Sequence, residues 1–130
     1  MSYQIHLKDL PEYSYEDYAS WEGRWELIMG VPFSMKPSPG RNHHWVSNKI
    51  AYQINRGLDH CARCEVLPAI NWKISENTVV CPDIAVYCDA EIVDYPTEAP
   101  ALIVEILSPS TSRKDKNLKF DLCEREGVGY

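Results

Sequence analysis

Residues 79–88 read Val-Val-Cys-Pro-Asp-Ile-Ala-Val-Tyr-Cys (VVCPDIAVYC), and one acid, Asp83, stands in an otherwise apolar or small run. Residues 101–107, ALIVEIL, repeat the arrangement, with Glu105 as the single acid among six apolar residues. Continuous apolar runs of this length read as strands buried on both faces. An ionised carboxylate is costly there unless a cation or a basic side chain compensates it. Two such strands suggest a shared partner, and oxygen-only ligands favour a hard ion, Mg²⁺ or Mn²⁺. The plainer reading of each acid is a strand-end side chain facing solvent, or one paired with an Arg or Lys.

Outward from these strands the pattern is regular. Residues 64–74 (CEVLPAINWKI) read as a further strand, with a turn at 75–78, and Pro96 and Pro100 break the segment between the last two strands. Before them a helix is expected over about 42–58, where Val46, Ile50 and Ile54 recur at helical spacing, Asn42 can cap and Gly57 lies near the end. Residues 24–36 read as a hairpin turning at Gly30, in which simple alternation puts Glu26 on a polar face. Residues 36–42 (KPSPGRN) read as a loop. Residues 11–21 read as a short helix capped by Ser14, with Asp17 three residues on. A last helix is expected over about 112–126, stopped by Gly127. The order helix, hairpin, helix, three strands, helix predicts an α/β fold with a central mixed sheet flanked by helices.

The totals agree with one domain over residues 1–130, 45% hydrophobic and 25% charged. The net charge of −6 argues against non-specific nucleic-acid binding but leaves room for a local basic patch. No apolar run approaches the roughly 18 residues of a membrane span. The start, MSYQIHLKDL, lacks the features of a signal peptide, so a cytoplasmic protein without a membrane partner is expected. The cysteines, Cys61, Cys64, Cys81, Cys88 and Cys123, are odd in number, which favours free thiols over a disulfide framework. Cys61 and Cys64 form C-A-R-C beside His60, but no second such pair completes a zinc site.

Pro82–Asp83, then Glu105 in a later apolar strand, with Glu26 upstream, resembles the PD-(D/E)xK nuclease signature. The chain is more closely similar to a large bacterial family of restriction-endonuclease-like domains of unknown biological role. The matching stretches are Tyr15–Asp17–Tyr18, Trp25 to Gly30, Ser38–Pro39 followed by His43, Pro82 to Val86, Val104 to Thr111, Asp115 with Lys119, and Gly127–Val128. The resemblance implies a restriction-endonuclease-like fold in which Glu26, Asp83 and Glu105 hold Mg²⁺ or Mn²⁺ and DNA is the substrate. The superfamily places a Lys two residues after the second acid, and here Leu107 stands there. The closer family draws that Lys from the following helix, where Lys119 matches best, with Lys116 and Lys114 behind it. Lys119 would orient the attacking water and stabilise developing charge. The family also continues past Gly127–Val128, so the chain reads as C-terminally shortened, which favours a homodimer through an exposed sheet edge.

Several residues admit two readings. Lys119 also reads as a solvated helix lysine paired with Asp115 at i, i+4. His43 either points towards the acids as an accessory group or only opens the middle helix. Arg113, Lys114, Lys116 and Lys119 form the candidate phosphate-contacting patch or a solvated face. Trp21, Trp25, Trp45 and Trp72 read as core or interface rather than base-stacking platforms. Three functions follow: a metal-dependent DNA endonuclease, an inactive relative acting in nucleic-acid binding or assembly, and a zinc or thiol protein. The first is favoured.

Overall fold

The computed structural model describes residues 11–35, 38–107 and 118–129. In chain order the elements are α1 (Tyr15–Ala19), β1 (Trp25–Ile28), β2 (Val31–Ser34), α2 (Arg41–Gly57), β3 (Cys64–Pro68), β4 (Trp72–Ser75), β5 (Thr78–Val80), β6 (Ile84–Cys88), β7 (Leu102–Val104) and α3 (Phe120–Arg125). The class is α/β, as expected. The mixed sheet is not what the described residues form. They form two sheets, ordered β2-β1-β5-β4 and β3-β6-β7, and the described pairings are antiparallel.

Local chemistry explains the elements that were anticipated. Ser14 caps α1 through a complete capping box with Asp17. Met29 and Gly30 turn the β1–β2 hairpin with φ of 49° and 80°, the doubly left-handed geometry of a type I′ turn. Gly30 is required twice over, because a Cβ there would also meet Glu12 Cβ at 3.2 Å. At the other end, Gly127 (φ 78°) closes α3 with a Schellman pair, Val128 N–H to Cys123 O at 3.0 Å and Gly127 N–H to Glu124 O at 3.2 Å. Helix α2 starts earlier than expected, with Gly40 rather than Asn42 at the cap.

Each of two expected strands is broken, and each break changes sheets. Residues 64–74 split at Ala69, which takes φ of 49°, so β3 joins one sheet and β4 the other. Residues 79–88 split at Cys81–Pro82–Asp83, because proline has no N–H to continue a ladder. The Pro-Asp motif is therefore the junction between the two sheets, and Asp83 sits at its exit rather than inside a strand.

The cysteine expectation is also corrected. Cys64 and Cys88 face each other in the β3–β6 register, with Cα atoms 4.0 Å apart, and are bridged. Cross-strand pairing supplied the proximity that residue counting could not show. Cys61, Cys81 and Cys123 are free thiols.

Ile28, Trp72, Val80 and Leu122 form the core, with Phe33, Ile74 and Ile103 packed against them. The core thus joins both sheets to α3. Of the tryptophans, Trp72 is buried, Trp21 and Trp25 are half-buried in an edge-to-face ladder, and Trp45 is 57% exposed and so is not a core residue. No helix among the described residues is long and apolar enough to cross a membrane. Leu122→Ala should lower stability by about 2–4 kcal/mol through the cavity it leaves, as read by urea unfolding.

Candidate functional site

Glu26 lies in the middle of β1, yet it is 1% exposed. The expected polar face does not exist, because Glu26, Leu27 and Ile28 are all buried between neighbouring strands and helix. A carboxylate so buried must be compensated. Its Oε2 accepts the backbone N–H of Cys81 at 2.8 Å and lies 2.9 Å from Lys119 Nζ. The Cys81 amide is free to donate because the ladder has just been broken at Pro82.

Lys119 is itself only 4% exposed. It stands three residues before Leu122, so the packing of Leu122 aims it inward along the same helical face. Its Nζ reaches Glu105 Oε1 at 2.7 Å as well as Glu26. Burial alone would pull the ammonium down, but Glu26 and Glu105 outweigh it, so Lys119 is pushed up and stays charged. It is not the solvated helix lysine of the plainer reading. Nor does it belong to an exposed basic patch. Arg113, Lys114, Lys116 and Asp115 lie outside the described residues.

Glu105 follows β7 directly. Burial pushes its carboxyl up to about 8, with the charges of Asp83 and Glu26 adding to the shift and Lys119 opposing it. Asp83 therefore stands close enough to act on Glu105 electrostatically. Asp83 Oδ2 accepts the Ile106 N–H at 2.7 Å, which ties the exit of β7 to the sheet junction. Its Oδ1 lies 3.1 Å from His43 Nε2, so His43, from the first turn of α2, does point to the acids. With Nε2 on Asp83, His43 Nδ1 is buried without a hydrogen-bond partner among the described residues.

The structure thus brings together Glu26, Asp83, Glu105, Lys119 and His43. Among the described residues, no group of three or more His, Cys, Asp or Glu side chains is arranged to hold a metal ion. The acids are instead divided: Glu26 and Glu105 share Lys119, and Asp83 takes His43 and a backbone amide. The Cys81 and Ile106 amides were missed by sequence reasoning, since a backbone donor leaves no residue-type signal. Leu107, in the place of the expected Lys, is 44% exposed. With Leu102, Ile103, Phe120 and Val128 it lines an apolar cavity of about 580 Å³ that opens onto Glu105 and Lys119.

Residues 15–130 match the family model Uma2, described as "Putative restriction endonuclease". An uncharacterized protein of Synechocystis sp. is 31% identical over 125 residues, covering 86% of this chain and 62% of the relative. The chain therefore spans under two thirds of that relative's length. The crystal structure of "a putative nuclease belonging to DUF820" from Anabaena variabilis superposes with a TM-score of 0.75. It is 20% identical, with 88% of this chain and 69% of that chain covered, so the likeness is one of fold. The family match extends from α1 to the end of the chain and takes in all five residues of the site, and the chain belongs to the Uma2 family of restriction-endonuclease-like proteins.

Proposed function

We propose that the chain is a metal-dependent DNA endonuclease that hydrolyses phosphodiester bonds. The observation that carries this reading is the Lys119 ammonium, held between Glu26 and Glu105 beside Asp83. A lysine from α3 then does what the superfamily's strand lysine would do at Leu107.

Asp83 and Glu105 are the residues that would hold Mg²⁺ or Mn²⁺. Their donors are all oxygen, which suits a hard ion. The raised Glu105 marks a buried carboxyl whose charge is under-compensated, the condition a dication would relieve. Glu26 was a third candidate ligand, but its engaged oxygen makes it better suited to anchoring Lys119. When bound, such an ion activates water and stabilises charge on the phosphate. Mg²⁺ commonly keeps several waters, so two carboxylates suffice. Lys119 would donate to the attacking water or to a phosphate oxygen, and His43 would fix the rotamer of Asp83.

The test is cleavage of plasmid and single-stranded DNA with Mg²⁺ or Mn²⁺, in the wild type and in Asp83→Asn. Loss of cleavage, and of calorimetric Mn²⁺ binding, in the variant is expected. Cleavage that persists in a double Asp83→Asn, Glu105→Gln variant, or in excess chelator, would sink the reading. His43→Asn should reduce cleavage by about tenfold without abolishing it, as a lost orienting partner does.

A further inference from the structure

Helix α2 carries no Asp or Glu over its seventeen residues, in a chain of net charge −6. Its half-buried face carries His43, Val46, Ile50 and Ile54, and it packs against β3. On the opposite side Arg41, Trp45, Lys49, Tyr52 and Arg56 are all exposed. At 100° per residue, these five fall within an arc of roughly 80° and extend about 22 Å along the axis. Trp45 is 57% exposed and Tyr52 is 58% exposed. Lys49 Nζ lies 5.6 Å from the centre of the Trp45 ring, so cation and ring present themselves together.

A solvated helix face ordinarily mixes charges of both signs and long flexible side chains. This one has cations alone, with two large rings set between them. Exposed aromatic area of this kind is costly without a partner. We infer that this stripe binds single-stranded nucleic acid, with bases stacked on Trp45 and Tyr52 and phosphates on Arg41, Lys49 and Arg56. Charge complementarity selects a polyanion, and the rings select unpaired bases, whose faces a duplex hides. The stripe begins within a turn of His43, which touches Asp83 at 3.1 Å from the opposite face of α2, so a bound strand reaches the acids by passing around the first turn of the helix. The inference rests on the nuclease reading and names the substrate class of that site as single-stranded.

The test is fluorescence anisotropy of a labelled oligothymidylate of about 15 nucleotides, with the full chain and chelator present, so that neither metal nor cleavage enters. Trp45→Ala and Tyr52→Ala should each weaken binding by about tenfold. The slope of log affinity against log salt should be near −2 for three cations, and Lys49→Gln should reduce it by about 0.7. These side chains are exposed, so melting temperatures should not move. Binding unchanged in the aromatic variants would overturn the inference, as would a duplex bound as tightly as the single strand. So would a dimer, seen by sedimentation, that the same variants break while no nucleic acid binds. A chain that binds single strands through this stripe but never cuts would keep the stripe and remove the nuclease. One that cuts with a KM indifferent to Trp45 and Tyr52 would do the reverse.

Discussion

Lys119→Met is expected to cost about 3 kcal/mol of stability, and to cut any cleavage by at least about a hundredfold. The stability loss comes from Glu26. It is 1% exposed, and the Lys119 ammonium lies 2.9 Å from its Oε2. Removing one partner of a buried pair leaves the other charge uncompensated, the costly way to break it. The Cys81 N–H at 2.8 Å offsets part of the penalty. Glu105 adds little, because its raised carboxyl already favours the neutral form near pH 7. Urea unfolding reads the first effect. The second is read on single-stranded and plasmid DNA below the melting temperature of the variant. Adding Glu26→Gln to Lys119→Met should restore much of the stability and none of the cleavage, since the buried charge is then gone. A Lys119→Met protein as stable as the wild type would show that Glu26 does not depend on this ammonium.

Glu105→Gln should make the metal-free protein more stable than the wild type at pH 9 and nearly equal to it at pH 5. The folded chain moves this carboxyl from its ordinary 4.5 up to about 8. Between those values the folded state holds a proton that the unfolded state has released. The contribution is fully present below about 4.5 and is lost as pH rises through about 8. Residual solvent access reduces the full linkage energy, so a difference of about 2 kcal/mol between the two pH values is expected. Chemical denaturation of both proteins across that range measures it. Mn²⁺ should tell the two apart again: it should stabilise the wild type increasingly as pH rises, and have little effect on Glu105→Gln. A wild type whose stability is flat from pH 5 to 9 relative to the variant would contradict the raised carboxyl.

Much of the site could be read before any fold was known. Asp83 and Glu105 stand out because an acid inside an apolar run demands a reason, and the reason proves to be a shared electrostatic environment. Glu26 carries no such signal. Alternation assigns it to a polar face, and only the neighbours of β1 bury it. Lys119 was visible only through family resemblance, because a lysine in a polar helix has the same local pattern whether it points to water or to a pair of acids. His43 was an open choice that the position of α2 against Asp83 resolves.

By itself the sequence determined the helices, the hairpin and the presence of strands, since these depend on period, caps and turn residues within a few positions of one another. Ser14 with Asp17, Gly30 and Gly127 act locally and behave as they read. Only the tertiary structure decided what faces what. Ala69 and Pro82 divide two apparent strands between two sheets, and that division frees the Cys81 amide for Glu26. Pairing of β3 with β6 joined Cys64 to Cys88, and packing of Leu122 turned Lys119 inward. Burial, charge pairing and exposure are properties of neighbours distant in the chain, and no local pattern encodes them.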